Sequence, residues 1–177
     1  MSSIEHLHQF PDLFAVDIQP GSFNSGLKSL VYFKENQIMS RLTGMSRTPT
    51  KTWTSVQCGP GPDDHLELNS VLVYANHSCL PNVIVDVSSN DSDEWHFRAL
   101  RDISPGDNLT FFYPSTEWDM TQAFNCKCQE KNCLGMIRGA RYLAYDEVEA
   151  RGFINAHIIR LMEERDGAYE TSSRSSD

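Results

Sequence analysis

The chain has 177 residues and a mass of 20.1 kDa, and its 24 acidic residues exceed its 15 basic residues, so that the net charge is −9. This length fits one domain with at most a small appendage, and 40% apolar and 10% aromatic residues suffice for a hydrophobic core, which excludes a wholly disordered chain. The acidic balance argues against a protein that coats nucleic acid, because neutralising phosphates needs clustered lysine and arginine.

The first half of the chain is predicted to form short strands joined by turns. Alternating apolar and β-branched residues predict four of these strands: 13–18, 27–32, 37–42 and 52–56. The polar segment 63–69 is expected to open a short helix or turn, because carboxylates cap helix N-termini. The apolar segment 71–74 that follows is expected to be a strand.

The second half is predicted to change from strands to helices. Residues 83–87 and 95–100 favour a hairpin around the polar turn 88–93, and 109–113 favour a further strand after the turn at Pro105. From about 142 to 165, apolar residues recur at helical spacing, which predicts one or two amphipathic helices broken near Gly152. The chain is therefore expected to be mostly β with a helical C-terminus.

Three of the five cysteines lie within eight residues, as the C-x-C-x4-C cluster of Cys126, Cys128 and Cys133. Thiolate sulfurs about 2.3 Å from the ion are the usual ligands of structural zinc. Free thiols or a local disulfide are the alternative, but five cysteines are too few, and odd in number, for a disulfide scaffold of this size. The cluster therefore predicts a zinc site whose fourth ligand is Cys58 or Cys79.

The N-terminal thirty residues show no basic segment followed by the apolar stretch of a secretory signal, and no apolar run approaches the ~20 residues of a membrane span. We therefore expect an intracellular, reducing location. No tight block of lysine and arginine distinguishes the nucleus from the cytoplasm.

A second motif is N-H-S-C-L-P-N at 76–82, which lies between two apolar segments. Alone, it would be explained as a polar turn with a buried histidine. It is followed by A-L-R-D-I-S-P-G-D-N-L-T-F-F-Y at 99–113 and then by the cysteine cluster. In order and spacing these segments resemble the two core motifs and the post-SET zinc segment of the SET-domain methyltransferases. Upstream, N-S-G-L at 24–27 and T-G at 43–44 resemble the family's G-x-G-[L/V] opening and the end of its next strand.

The resemblance spans roughly residues 13–137, without the cysteine-rich pre-SET segment of many histone-directed members. It implies a mostly β, SET-type fold of short curved sheets, in which segment 76–82 makes a knot-like crossing, with a zinc-bound post-SET segment and a helical C-terminus. The implied organisation has five parts: an N-terminal arm (1–12), a SET-like domain (13–121), a post-SET zinc segment (122–139), a helical appendage (140–166) and a disordered tail (167–177).

The resemblance also implies S-adenosylmethionine and zinc as cofactors. The residues implied to bind S-adenosylmethionine are Asn24, Gly26, Leu27, Asn76, His77 and Leu134. The implied zinc ligands are Cys79, Cys126, Cys128 and Cys133, so that zinc closes the flap carrying Leu134 over the adenine. Tyr113 is the implied catalytic residue and lines the substrate channel with Phe111, where the family uses Phe or Tyr to limit the number of methyl groups added.

The function implied by the resemblance is methylation of a protein lysine amine. Methyl transfer from a sulfonium to an amine chiefly demands alignment of the two reactants. A nearby sulfonium and an apolar channel both favour the neutral amine, so no strong dedicated base is required. Tyr113 is therefore expected to position the reactants by hydrogen bonding and electrostatics, and not to act as a nucleophile.

Several features depart from the family pattern. Asn24 replaces the first glycine of the opening motif, Phe112 replaces an acidic residue, and Pro114 replaces a glycine. Only 31 residues separate Gly44 from Asn76, which leaves a short insert and at most a small peptide surface. Two alternatives stay open: a SET-fold enzyme for a small molecule, by methyl transfer or another reaction, and a catalytically inactive SET-like binding module. The expected partner is a protein, a peptide or a small molecule, with no membrane and no direct nucleic-acid binding.

Overall fold

The computed structural model describes residues 9–21 and 24–174, in which short strands precede two C-terminal helices. The strands are β1 (Phe14–Asp17), β2 (Gly26–Ser29), β3 (Ile38–Arg41), β4 (Ser46–Thr48), β5 (Ser55–Gln57), β6 (His65–Glu67), β7 (Asn76–His77), β8 (Val83–Asp86), β9 (His96–Ala99), β10 (Asn108–Phe111), β11 (Phe124–Asn125) and β12 (Met136–Ile137). The α-helices are α1 (Tyr145–Glu149) and α2 (Ala156–Arg174), and 3-10 turns span Val71–Tyr74, Ser92–Glu94, Tyr113–Ser115 and Ala140–Tyr142.

The strands form four small sheets with the orders β1-β2-β10-β7, β3-β9-β8, β4-β6-β5 and β11-β12. The predicted hairpin is confirmed, because β8 and β9 pair antiparallel from Val83 opposite Ala99 to Asp86 opposite His96. The predicted mostly β architecture with a helical C-terminus is confirmed as well.

Strands β7 and β10 pair in parallel, with Asn76 opposite Thr110 and His77 opposite Phe111. The Asn82 side chain extends this contact, since its oxygen accepts from the Thr110 N–H at 2.9 Å and its nitrogen donates to the Asn108 carbonyl at 2.8 Å. The pairing brings the N-H-S-C motif beside the strand that leads into Tyr113, as the expected crossing requires.

The buried residues form two hydrophobic clusters. The larger cluster lies among the sheets and includes Leu27, Phe97 and Leu109. The second joins the cysteine-rich segment 122–139 to the C-terminal helices and includes Phe112 and Ile158. Phe112 is only 2% exposed, so the acidic residue expected at this position would place a charge in an apolar interior at high cost.

Two predicted elements were wrong in whole or in part. Segment 63–69 begins in the predicted turn, where the Asp64 N–H donates to the Gly61 carbonyl at 3.2 Å, but 65–67 form strand β6, which pairs with both β4 and β5 as the central strand of its sheet. Residues 71–74 form a 3-10 turn, and not a strand, since the Ser70 hydroxyl caps it by accepting from the Leu72 N–H at 3.3 Å. Sheet pairing and capping thus override local propensity here. In 52–56 only the last two residues belong to a strand.

The helical prediction for the C-terminus is confirmed, with the break near Gly152, whose φ of +96° ends α1. The prediction of a disordered tail from 167 was wrong for 167–174, because α2 continues to Arg174. Extending a packed helix costs less than nucleating one. The rest of that tail, 175–177, and most of the predicted N-terminal arm lie outside the described residues. Among the helices described, none is both long and apolar enough to cross a membrane.

Candidate active site and zinc centre

Four cysteine sulfurs converge on one point. The Sγ atoms of Cys79, Cys126, Cys128 and Cys133 lie within 4.8 Å of one another, and none of these thiols is in a disulfide. The hairpin of β11 and β12 carries the last three, and the N-H-S-C motif carries Cys79. The structure thus selects Cys79 over Cys58 as the fourth member of the cluster.

Backbone donors surround this cluster. The N–H groups of Cys128, Leu134 and Gly135 each lie 3.4 Å from a cysteine sulfur, at Cys126, Cys79 and Cys133 respectively. Such donors favour the thiolate, which is the form that binds metal. Four sulfurs at this separation fit the donor set of a tetrahedral structural zinc site.

The thiol pKa values differ within the cluster. The pKa of Cys128 is lowered to about 7: its partial burial alone would raise it, and hydrogen bonds from the backbone of Glu130 and from neighbouring cysteines outweigh that effect. Burial raises the pKa of Cys79 and Cys126. Cys128 is therefore partly ionised to the thiolate near neutral pH, and a bound cation would be needed to keep all four sulfurs in the thiolate form.

His77 links the cysteine cluster to Tyr113. The backbone N–H of Tyr113 donates to His77 Nδ1 at 3.2 Å, so the ring proton is on Nε2, which lies 3.5 Å from the Cys79 sulfur. Burial, assisted by the positive charge of Arg151, lowers the pKa of His77 to about 3. The imidazole is therefore neutral and connects a cysteine of the cluster to the backbone of the candidate catalytic tyrosine.

The Tyr113 side chain lies in an aromatic environment. Its hydroxyl donates to the Ala75 carbonyl at 3.3 Å, and its ring centroid is 4.7 Å from Phe111 and 6.0 Å from Phe124. Burial, together with the charge of Glu117, raises the pKa of Tyr113 to about 12. The hydroxyl stays protonated at neutral pH and can serve as a hydrogen-bond donor.

The opening motif lies beside the N-H-S-C motif. Asn76 Nδ2 donates to the Ser25 carbonyl at 2.8 Å and would lie 3.5 Å from a Cβ atom placed on Gly26. The Leu27 side chain is only 1% exposed and packs in the core, so only its backbone is available to a ligand. The structure thus brings the predicted residues of 24–27 and 76–77 to one place.

The side chain of Asn24, which replaces the expected glycine, is held within its own loop. Its Nδ2 donates to the Pro20 carbonyl at 2.8 Å. We therefore expect Asn24→Gly to change the dissociation constant of S-adenosylmethionine by less than about threefold, well under 1 kcal/mol. Isothermal titration calorimetry of both proteins measures the difference, and a tenfold gain in affinity for the glycine variant would show that Asn24 obstructs the cofactor.

Arg151 is a site residue that the sequence analysis missed. Its Nη1 donates to the Cys79 carbonyl at 2.8 Å and its Nη2 to the Asn132 carbonyl at 2.9 Å. Its guanidinium lies 5.8 Å from the centre of the Phe112 ring. Arg151 thereby ties Cys79 to the loop carrying the other cysteines, and no sequence pattern distinguishes it from the other charged residues around α1.

Glu117 was missed as well, and it attaches the sheet of β4, β5 and β6 to the segment after Tyr113. Its carboxylate accepts from the Gln57 N–H at 2.8 Å and lies 3.8 Å from Lys51 Nζ. In return, the Trp118 N–H donates to the Gln57 side-chain oxygen at 2.9 Å. Burial raises the pKa of Glu117.

His157, at the start of α2, provides a test of pH-dependent stability. Its Nε2–H donates to the Thr116 carbonyl at 2.8 Å, and burial lowers its pKa, opposed in part by this hydrogen bond and by the charge of Asp64. The pKa of His157 is therefore lower in the folded protein than in the unfolded chain, where it is about 6.5. Its contribution to the free energy of unfolding is complete above this unfolded pKa and is lost as the pH falls from there toward the folded pKa.

We therefore expect the stability difference between the unmodified protein and His157→Gln to shrink as the pH falls from 7.5 to 5. Urea unfolding at each pH measures both free energies, and taking the difference removes acid effects on the cysteines common to both proteins. A difference that stays constant over this range would contradict the burial effect.

The sequence is similar to a known protein family and to individual members of it. The model of the SET domain matches residues 15–114. Methyltransferase flvH of Aspergillus flavus is 44% identical over 142 residues, which cover 79% of this chain and 75% of that protein. The histone-lysine N-methyltransferase specific for lysine 36 of H3 from Saccharomyces cerevisiae is 35% identical over 71 residues, or 40% of this chain and 10% of that protein.

Solved structures share the fold. The methyltransferase domain of human histone-lysine N-methyltransferase SETMAR matches 71% of this chain and 58% of its own, with a TM-score of 0.50 and 14% identity. KRYPTONITE in complex with mCHG DNA and SAH matches 70% of this chain and 29% of its own, with a TM-score of 0.53 and 20% identity. With its motifs and cysteine cluster in the arrangement described above, the chain belongs to the SET-domain family of methyltransferases.

Proposed function

We propose that the protein transfers a methyl group from S-adenosylmethionine to an amine, and that the amine is a lysine side chain of a protein or peptide. The observation that carries the proposal is that the opening motif, the N-H-S-C motif and Tyr113 converge beside the cysteine cluster. Two kinds of relative support it: KRYPTONITE was solved with SAH, and the yeast relative is named for a histone lysine.

Within this proposal, the backbone of 24–27 together with Asn76 and His77 would hold S-adenosylmethionine, and Leu134 would cover its adenine. Cys79, Cys126, Cys128 and Cys133 would hold zinc, whose contribution is to cross-link the flap to the N-H-S-C motif. The Leu134 N–H already lies 3.4 Å from the Cys79 sulfur, so zinc at the cluster would fix Leu134 beside the motif. A reducing intracellular compartment would keep these thiols available.

The protein's contribution to the reaction is mainly alignment. S-adenosylmethionine supplies a methyl group on a positively charged sulfur. The protonated Tyr113 hydroxyl donates to the Ala75 carbonyl at 3.3 Å beside the rings of Phe111 and Phe124, and this bond fixes both oxygens, each of which has a further lone pair that can accept from an amine. An apolar surrounding favours the neutral amine, which is the nucleophilic form, and fixed polar groups orient its lone pair.

A small-molecule amine is a second candidate substrate, favoured by one feature of the structure. The sheet of β4, β5 and β6, which represents the insert, has only three residues in each strand, and Gln57 of β5 is already bonded to Glu117 and Trp118. This leaves little strand edge for pairing with an extended peptide, which is a common means of peptide recognition.

Transfer of a radiolabelled methyl group in a cell extract of the source organism decides between these substrates. The extract is incubated with the zinc-loaded protein and labelled S-adenosylmethionine and is then separated into protein and small-molecule fractions. Label in a protein fraction, recovered as methyl-lysine, supports the proposal. Label in the small-molecule fraction alone rejects the lysine substrate in favour of a small amine. No label above that of Tyr113→Phe in either fraction would contradict methyl transfer itself.

A further inference from the structure

We propose that Asn155, directly before α2, and His157, at the start of α2, are positioning residues that set the place of Tyr113. The inference rests on the methyl transfer proposed above and adds to it a role for residues beyond position 114, where the match to the SET-domain model ends.

The Asn155 side chain is fully buried and fully hydrogen-bonded. Its Nδ2 donates to the Ser115 and Val85 carbonyls, both at 2.9 Å. Its Oδ1 accepts from the Val87 N–H at 2.8 Å and from the Ser88 hydroxyl at 3.2 Å. An amide has two donors and two lone pairs, so every bond that this side chain can make is made, and its exposed surface is 0%.

These bonds join α2 to the turn that begins at Tyr113. The backbone N–H of Asn155 also donates to the Ser115 carbonyl at 3.1 Å, and His157 Nε2 donates to the adjacent Thr116 carbonyl at 2.8 Å. Within the turn, the Thr116 N–H donates to the Tyr113 carbonyl at 3.0 Å. Two consecutive carbonyls after the catalytic tyrosine are thus held from α2.

The same side chain anchors the turn to the core. Val85 belongs to β8, which is buried and pairs with β9, and Val87 directly follows that strand. Asn155 therefore fixes the distance between a rigid sheet and the Tyr113 turn. Since a displacement of about 1 Å in a reacting group can cost 100-fold in rate, this anchor bears on the position of the Tyr113 hydroxyl relative to the Ala75 carbonyl.

The test separates positioning from general stability. Asn155→Asp keeps the acceptor but removes the two N–H donors, and the backbone bond from residue 155 to Ser115 remains. At least one of the side-chain bonds to the Ser115 and Val85 carbonyls is then lost, because a carboxylate has no proton to donate and a protonated carboxyl has one. We expect kcat to fall about 10- to 100-fold, with KM and the affinity for S-adenosylhomocysteine within about threefold. Ile158→Ala is the matched control, because Ile158 is buried in the same helix: its melting temperature should fall at least as far, while kcat stays within about twofold.

A second pair of variants covers the case in which Asn155→Asp does not fold. His157→Ala removes the single bond to Thr116 and should also lower kcat, and His157→Gln, which keeps an N–H donor, should restore most of it. Amide hydrogen exchange of 112–118 gives a readout without turnover: exchange should accelerate in Asn155→Asp and His157→Ala, and not in Ile158→Ala.

Unchanged kcat in both Asn155→Asp and His157→Ala, in an active protein, would overturn the positioning role and leave the proposed function intact. Absence of turnover in the unmodified protein would instead contradict the proposed function. In that case the hydrogen exchange still decides whether α2 holds the Tyr113 turn, since unaltered exchange in 112–118 would reject that role.

Discussion

Replacing Tyr113 by Phe is expected to lower kcat for methyl transfer by about 100-fold or more, the usual cost of removing one preorganised donor from an active site. The substitution removes only the hydroxyl that donates to the Ala75 carbonyl and keeps the ring packed against Phe111. Because this hydroxyl stays protonated at neutral pH, the loss is one of a donor and not of a charge. The affinity for S-adenosylmethionine should stay within about threefold.

The matched control is Tyr32→Phe. Tyr32 is 54% exposed and bonded to Asp102, whereas Tyr113 is largely buried among aromatic rings. Substitution of Tyr32 should therefore leave kcat unchanged. Steady-state rates and calorimetric affinities of the three proteins are compared at one pH. Product formation by Tyr113→Phe equal to that of the unmodified protein would show that the hydroxyl has no part in the reaction.

We expect the four-cysteine cluster to bind zinc, and we predict that removing one of its sulfurs has the second largest effect. Cys128→Ser removes one of the four sulfurs and should reduce bound zinc to well below one ion per chain. We expect the free energy of unfolding to fall by at least about 3 kcal/mol, because binding of a structural metal is folding energy for the segment that it closes. The affinity for S-adenosylhomocysteine should fall at least tenfold, since Leu134 is then no longer fixed beside Cys79.

Cys58→Ser is the control for this experiment, because Cys58 lies outside the cluster and contacts Arg47 and Asp64 instead. Its zinc content should equal that of the unmodified protein. The metal is measured by atomic absorption and the stability by urea unfolding. A Cys128→Ser protein with full zinc content, or with unaltered stability and affinity, would contradict the structural role of the cluster.

Through His77, zinc bound at the cysteine cluster would also act on the candidate active site. Its imidazole contacts both the Cys79 sulfur and the Tyr113 N–H, and Arg151 donates to the Cys79 carbonyl. Hydrogen bonds of this kind orient metal ligands and tune them. Loss of the metal is therefore expected to affect the Tyr113 backbone as well as the flap.

The sequence predicted those features that depend on residue type and local spacing, namely the cysteine cluster and the β8–β9 hairpin. The cysteine spacing and the N-H-S-C motif predicted the cluster, and the strands of β8 and β9 followed from their β-branched and aromatic residues around a polar turn. The choice between Cys58 and Cys79 could not be made from spacing, because the chain between Cys79 and Cys126 folds back over 47 residues. That contact depends on the tertiary fold.

Other features could not be predicted from the sequence, because they depend on partners distant along the chain. The carboxylates of 63–69 predicted the turn that opens this segment, but strand β6 within it was missed, because its pairing with β4 and β5 is set by the tertiary fold. Arg151 and Glu117 resemble ordinary surface charges in the sequence, but bond to carbonyl and N–H groups 72 and 60 residues away. Asn155 precedes a helix, which signals a cap, and only the structure shows its bonds to β8 and the Tyr113 turn.

The departures from the family pattern also have physical explanations. Phe112 takes the place of an acidic residue because it lies in the hydrophobic cluster of the zinc segment. The Asn24 amide bonds to its own loop. These two substitutions therefore give no reason to expect an inactive binding module, and the prediction that the site accepts S-adenosylmethionine stands on the convergence of the motifs.

The most direct test of this account is a calorimetric titration of the zinc-loaded protein with S-adenosylmethionine. The account predicts one site per chain with a dissociation constant between about 1 μM and 1 mM, the range of ordinary enzyme substrates, and a loss of most of this binding in Cys128→Ser. A folded, zinc-loaded protein that gives no heat at millimolar S-adenosylmethionine would contradict it.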